Sequence, residues 1–294
     1  MDFLPGKLYV VATPIGNLED ITKRALTCLT QSNIIFCEDT RVTRKLLDKY
    51  TIVQNKRLFV YNKDVEAEFQ HKFVLSKIKD PSNIVSLVTD AGTPCISDPG
   101  SKLLEFLIKN EVEIDFLPGP CALINGVVLS GFDFANFTFL GFIPKEVECK
   151  KEFFEHVLDL QLISMKFKSN SHVFIFYETA KRLQNTLAVM LTILGNQNLC
   201  IAKELTKLHQ TTFRGKIKDF LDLNIRGEVV LILKFEDGFN QVSTKNDIES
   251  EIIKLLNNKL SINDISRIIN VDFGISKNKA YKLVCLTMKK LNEN

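Results

Sequence analysis

The sequence predicts an α/β fold: two α/β domains, residues 1–142 and 143–237, followed by a small helical module over residues 238–294. Three observations carry this reading. Short β-rich runs alternate strictly with helical patterns through the first 140 residues, strands crowd together from about residue 172, and the pattern after Gly238 is helical only. Strict alternation requires crossover connections, and so a mainly parallel sheet covered on both faces. Closely spaced strands predict a mixed sheet instead.

Taken in order, residues 8–12 (Leu-Tyr-Val-Val-Ala) read as a buried strand. Ile21, Ala25, Leu26 and Leu29 then give one apolar helix face over residues 18–29, with Asn17 as the N-cap. Strand 34–37, a helix over 43–50, strand 58–61, a helix over 65–78, strand 84–88 and a helix over 101–108 continue the alternation. Strand 113–117, a helix after Pro120 and strand 137–140 complete the first half. Residues 143–151, with Pro144 among charged side chains, read as the linker. The second half predicts helix 152–160, strand 173–177, helix 181–194, and strands 199–202, 209–213 and 228–234. Three helical segments follow from Asp247.

With 45% hydrophobic residues in 294, the chain has ample material for buried cores, which excludes general disorder. The net charge of +3 is unevenly placed. From Gln241 onward there are nine basic and six acidic residues, so the tail carries the whole excess and the preceding chain is neutral. Seven cysteines, without a C-x-x-C pair, argue against a disulfide framework or zinc ribbon and for a reducing compartment. The longest apolar run is broken by Gly126, Ser130 and Gly131, far short of a membrane span, and no signal-peptide core precedes residue 13. The expectation is a soluble cytoplasmic protein with no membrane partner.

The common phosphate-binding signatures are missing: there is neither a G-x-G-x-x-G after a strand nor a G-x-x-x-x-G-K-[ST]. The four histidines (His71, His156, His172, His209) are scattered, so no metal site is expected, and no G-x-S-x-G elbow supports a serine nucleophile. What stands out is a set of Gly/Pro-rich loops at strand C-termini, where open parallel sheets bind ligands. They are Thr13-Pro14-Ile15-Gly16-Asn17, Glu38-Asp39-Thr40-Arg41, the stretch from Thr89 to Gly100, and Leu117-Pro118-Gly119-Pro120-Cys121-Ala122. One such loop is ordinary turn chemistry; four at the same edge point to a ligand.

Those loops, with Asp90-Ala91-Gly92-Thr93-Pro94 and Ser97-Asp98-Pro99-Gly100 the most specific, closely resemble the ribosomal RNA small subunit methyltransferase I family of the tetrapyrrole methylase superfamily. The resemblance extends through Gly141-Phe142-Ile143-Pro144-Lys145, Phe176-Tyr177-Glu178-Thr179, Lys203-Glu204-Leu205-Thr206-Lys207 and Gly227-Glu228, about residues 7 to 235. Three departures stand out: Tyr61-Asn62-Lys63-Asp64 replaces a His-rich segment, Thr179-Ala180-Lys181-Arg182 replaces Ser-Pro-His-Arg, and Cys121 replaces Ser. The resemblance implies two α/β domains with S-adenosylmethionine (SAM) in the cleft between them. It also implies methyl transfer to the ribose 2′-oxygen of a cytidine in 16S rRNA of the small ribosomal subunit, and a homodimer.

By the same resemblance, the cofactor residues of the first domain are Pro14, Asp90, Ala91, Gly92, Thr93, Pro94, Ile96, Ser97, Pro118, Gly119, Cys121 and Ala122. Tyr177, Ala202, Lys203, Glu204 and Leu205 approach from the second domain. A ribose hydroxyl is a poor nucleophile at neutral pH, so a base or polarising charge helps. Glu38, Asp39 and Arg41 are the catalytic candidates, with Glu178, Lys203 and Glu204 also at the cleft edge; each reads equally as a cap or ion pair. The tail resembles a helix-turn-helix whose second helix starts at Ser276, and its Lys277, Lys279 and Lys282 are the candidate RNA contacts. Two rival readings are a methylase acting on a tetrapyrrole and a non-catalytic nucleic-acid-binding regulator. The basic tail argues against the first, the Asp90 to Gly100 loop against the second.

Overall fold

The computed structural model describes residues 3–52, 56–62, 68–166, 171–236, 245–258, 260–273 and 277–292. The first sheet is five-stranded and wholly parallel in its recorded pairings. Its strands are β1 (Lys7–Val11), β2 (Ile34–Cys37), β3 (Arg57–Val60), β4 (Val85–Leu87) and β5 (Glu113–Leu117), in the order β3-β2-β4-β1-β5. Alternation along β1 sends Tyr9 and Val11 to one face and Leu8 and Val10 to the other. The first face packs on α1 (Lys23–Gln31) and α2 (Thr40–Lys49), the second on α3 (Glu68–Lys79) and α4 (Ser101–Lys109). Coverage on both faces explains why these strands read as continuous apolar runs.

The expected helix over residues 18–29 is two pieces. Asn17 accepts the Glu19 N–H at 3.0 Å and caps a single 3-10 turn, Leu18–Asp20. Ile21 is extended, and Thr22 accepts the Ala25 N–H at 3.1 Å to start α1 afresh. The helix expected from residue 43 starts at Thr40 because Asp39 caps it. Residues 65–67, expected in the third helix, lie outside the described residues, as do Lys63 and Asp64.

The larger correction concerns where the first half ends. Helix α5 (Ala122–Ser130) and strand β6 (Asn136–Phe142), expected within residues 1–142 and its sheet, belong to the second sheet. The chain therefore passes from one sheet to the other after Leu117, not near residue 142. Gly126 is what lets α5 lie flat on that sheet, since a Cβ there would stand 2.8 Å from Val230. The expected linker 143–151 is also shorter. Ile143 is buried and α6 (Val147–Lys166) starts well before residue 152.

The second sheet comprises β6, β7 (His172–Thr179), β8 (Asn198–Lys203), β9 (Thr211–Lys216) and β10 (Glu228–Lys234), in the order β6-β7-β10-β8-β9. Only β6 and β7 pair in parallel; β7 with β10, β10 with β8 and β8 with β9 are antiparallel. One face packs on α6 and α7 (Ala180–Leu194), the other on α5. The tail holds α8 (Lys245–Asn257), α9 (Ile262–Phe273) and α10 (Lys277–Asn292) around a small core of its own, including Ile252, Ile265, Ile269 and Val284. The expected start of α10 at Ser276 falls outside the described residues.

Candidate active site

A cavity of about 350 Å³ opens where the C-terminal edge of the first sheet faces the second sheet. All four loops singled out in the sequence arrive there, because parallel strands present all their C-terminal ends at one edge. Glu38 enters from β2, Thr89 to Thr93 and Ile96 to Asp98 from the loop after β4, Ile15 from β1, and Cys121 with Ala122 from β5 into α5. The second sheet supplies Phe142, Tyr177, Glu178, Thr179, Ala202, Glu204, Leu205, Lys207 and the start of β10 at Glu228, Val229 and Val230.

Backbone and side-chain bonds fix these loops to one another. Thr13 and Gly92 exchange both backbone hydrogen bonds, at 2.8 and 3.0 Å, while the Thr13 hydroxyl donates to the Thr89 carbonyl. Gly92 has φ +88°, and a Cβ there would stand 3.0 Å from Ile15. The positive φ calls for glycine, and the Ile15 methyl leaves little room for a side chain. The Thr93 hydroxyl donates to the Pro120 carbonyl at 3.0 Å, tying the third loop to the fourth. Within the second half, the Tyr177 hydroxyl accepts the Leu123 N–H at 3.1 Å and fixes the start of α5; across the cleft, Thr206 Oγ1 accepts the Asn17 N–H at 2.9 Å. Burial pushes the Tyr177 hydroxyl pKa well above its ordinary value, so it stays protonated.

Of the expected cofactor residues, Asp90, Ala91, Gly92, Thr93, Ile96, Ser97, Cys121, Ala122, Tyr177, Ala202, Glu204 and Leu205 line the cavity. Pro14, Pro94, Pro118, Gly119 and Lys203 do not. Ile15 takes the place expected for Pro14. Gly119 instead packs on Ala12, where a Cβ would come within 2.9 Å of the alanine methyl. Lys203 follows Ala202 in β8, and strand alternation turns it to the opposite face.

The catalytic candidates separate. Glu38 lines the cavity and accepts the Thr89 hydroxyl at 3.0 Å. Asp39 and Arg41 are absent from the lining and engage each other: the Asp39 carboxylate accepts the Arg41 N–H, Nε and Nη2, the last at 2.5 Å. The Arg41 side chain holds the Asp39 carboxyl at about 2, well below the usual carboxylate range. Asp39 is the α2 cap. Burial raises the Asp90 pKa, and Glu38 and Asp39 raise it further, while its bond from the Asp39 N–H opposes them.

Glu178 is buried, and its carboxylate is fully used. It accepts the Thr179 N–H at 2.7 Å, the Thr186 hydroxyl at 2.7 Å and Arg182 Nη2 at 2.5 Å. Arg182 also donates to the Ile143 carbonyl at 3.2 Å, bracing the chain just after Phe142. Nearby, Lys150 is buried with its ammonium on Asn185 at 2.6 Å; burial lowers its pKa and Glu178 opposes that. Glu204 pairs with Lys207 at 3.0 Å. Lys207 is the only basic side chain among the lining residues, against six carboxylates. No metal-binding cluster of His, Cys, Asp and Glu occurs among the described residues.

The residues present fit SAM. The loops offer backbone groups at close range, Ile15, Ile96, Cys121, Ala122 and Leu205 form an apolar slot, and the acidic excess suits a sulfonium cation. The fold and this cleft together define a methylase architecture. The family model for Tetrapyrrole (Corrin/Porphyrin) Methylases matches residues 7–221, and the chain belongs to that family. Among curated relatives, Ribosomal RNA small subunit methyltransferase I of Rickettsia prowazekii (strain Madrid E) is 38% identical over 288 residues, covering 96% of this chain and 97% of that protein. The protein of the same name from Hydrogenobaculum sp. (strain Y04AAS1) is 43% identical over 242 residues, covering 81% of this chain and 99% of its own length. Among solved structures, a cobalt precorrin-4 methyltransferase shares the fold with a TM-score of 0.54 at 14% identity, over 78% of this chain and 94% of that one. The Thermus thermophilus uroporphyrin-III C-methyltransferase, solved with S-adenosylhomocysteine, gives 0.51 at 14% identity, over 78% and 97%.

Proposed function

We propose that this protein is a SAM-dependent methyltransferase that modifies the ribose 2′-oxygen of a cytidine in 16S rRNA. The observation that supports it best is the cleft itself, in which the four sequence-legible loops converge on one acid-rich cavity. The relatives' shared name supplies the substrate class. Bound SAM supplies an electrophilic methyl group on a sulfonium that is already a good leaving group. The chain's task is then to align the acceptor oxygen and take its proton. In this reading Asp90, Ala91, Gly92, Thr93, Ile96, Ser97, Cys121, Ala122, Tyr177, Ala202, Glu204 and Leu205 hold the cofactor, and Glu38 accepts the proton as the ribose oxygen attacks the methyl carbon. Asp39 and Arg41 keep α2, and with it Glu38, in place.

Lys277, Lys279 and Lys282 lie on α10, which the family model does not cover. We assign that module to RNA contact and the body to chemistry. A homodimer is the assembly implied by the family; exposed Ile124 and Val128 on α5 offer an apolar patch for a second copy. In this reading the protein works in the cytoplasm, with its ribosomal RNA substrate. Among the described residues no helix is long and apolar enough to cross a membrane.

Incubation with methyl-labelled SAM and, in parallel, unmethylated small subunits, free 16S rRNA and a tetrapyrrole tests the whole reading. Label is expected in rRNA at a cytidine ribose and not in the tetrapyrrole; the reverse outcome overturns the assignment. A chain truncated after Asp237 is expected to bind SAM normally and RNA more weakly. Gly92→Val is expected to weaken SAM binding tenfold or more by calorimetry. A β-branched residue at φ +88° costs about 1–3 kcal/mol before its methyls meet Ile15. Unchanged affinity would mean that this loop does not touch the cofactor.

A further inference from the structure

Helix α10 has two unlike faces. Ala280 and Val284 are buried against α8 and α9. On the outer face a shallow groove of about 280 Å³ runs along Tyr281, Lys282, Cys285, Leu286 and Lys289. These positions recur at helical spacing, so they form one stripe. Tyr281 is 47% exposed and Leu286 55% exposed, a large apolar and aromatic surface for so small a module. Helix α10 carries five lysines and no acid in Lys277–Asn292. Lys290 turns away to pair with Glu249 at 2.9 Å, but Lys277, Lys282 and Lys289 make no ion pair among the described residues.

We propose that this groove binds a single-stranded segment of RNA, with a base stacked on Tyr281 and phosphates on Lys282 and Lys289. The inference rests on the assignment of the tail to RNA contact and makes it specific. Lysines alone favour any polyanion, whereas an exposed aromatic ring in the same groove adds a platform that only an unstacked base fits. A helix cannot read the deep, narrow major groove of an RNA duplex, so the stripe suits loops, bulges or ends. Lys282 and Lys289 are seven residues apart, roughly 10 Å along the helix at 1.5 Å per residue, with Cys285 and Leu286 between them and the Tyr281 ring at the Lys282 end. A second copy is a poor occupant: a symmetric contact would set one lysine face against its equal.

The test uses the full chain, with fluorescence anisotropy on a labelled mixed-sequence single-stranded RNA and on a duplex of the same length. Single strands are expected to bind more tightly. Tyr281→Ala should weaken single-strand binding roughly 5- to 150-fold and leave the duplex unaffected, with Tyr281→Phe restoring it. Lys282→Gln with Lys289→Gln should flatten the slope of log affinity against log salt by roughly 1.4. Because Tyr281 is exposed, a normal helical circular dichroism spectrum and normal SAM binding will show each variant folded. Single-strand affinity unchanged in Tyr281→Ala, or equal affinity for duplex, overturns the proposal. So does binding of the wild-type chain to anionic vesicles in preference to RNA, or self-association abolished by Leu286→Glu. Methyl transfer to small subunits, measured alongside, separates the two readings: transfer intact with an inert groove rejects this inference and keeps the proposed function.

Discussion

Glu178→Ala is expected to lower the unfolding midpoint by roughly 6–15 °C, the largest stability effect of any single change at the cleft. Glu178 is part of the cavity wall yet has no exposed side-chain surface, facing Arg182, which is itself mostly covered, and close to buried Lys150. Removing the carboxylate leaves a guanidinium without its counter-charge and an ammonium with less compensation. It also orphans the Thr179 N–H and the Thr186 hydroxyl. Breaking a buried pair from one side costs about 3–5 kcal/mol, because the remaining charge stays desolvated. Arg182 also ties the chain after Phe142, so the same change should loosen the aromatic wall formed by Phe142 and Tyr177, whose ring centroids are 5.4 Å apart. Scanning calorimetry of the two proteins checks this, and a shift below 2 °C would show that the network carries little. Glu178 is thus a structural anchor, although it lies in the cavity lining among the sequence's candidate bases.

How far the site was legible follows from sheet geometry. Loops after β1, β2, β4 and β5 were found because a parallel sheet gathers its C-terminal ends at one edge, and those loops are rich in Gly and Pro. The same rule passes over β10. That strand runs antiparallel between β7 and β8, so its first residues lie beside their last: Glu228 opposite Thr179 and Val229 opposite Lys203. Glu228, Val229 and Val230 therefore line the cavity from an N-terminal strand end, with only Gly227 as a local signal. Strand β6 is another case. Its residues read correctly as a strand, but which sheet it joins depends on pairing with β7, some 35 residues on, and no local pattern encodes that. Lys203 shows the opposite limit: strand alternation turns it away while Ala202 and Glu204 on either side, and Leu205 and Lys207 beyond, line the cavity. The Asp39–Arg41 pair was ambiguous because a cap and a catalytic acid share a position at a helix start; only the hydrogen bonds divide them.

That division yields the sharpest expectation for activity. Glu38→Gln should lower the transfer rate at saturating SAM by roughly 10²- to 10⁴-fold, the usual worth of a positioned general base, while SAM affinity stays within about twofold of the original. Glutamine keeps the size of the side chain and can still accept the Thr89 hydroxyl, so the loop geometry is preserved and only the proton acceptor is lost. Asp39→Asn serves as the internal control. Asparagine is also a good N-cap, and the Asp39 side chain already spends its charge on Arg41, so its effect on the rate should be far smaller. If both variants turn over normally, the ribose proton leaves by another route and Glu38 is a wall residue. If Asp39→Asn alone abolishes transfer, the Asp39–Arg41 pair opens during the reaction, and the base is the residue that this structure shows as a cap.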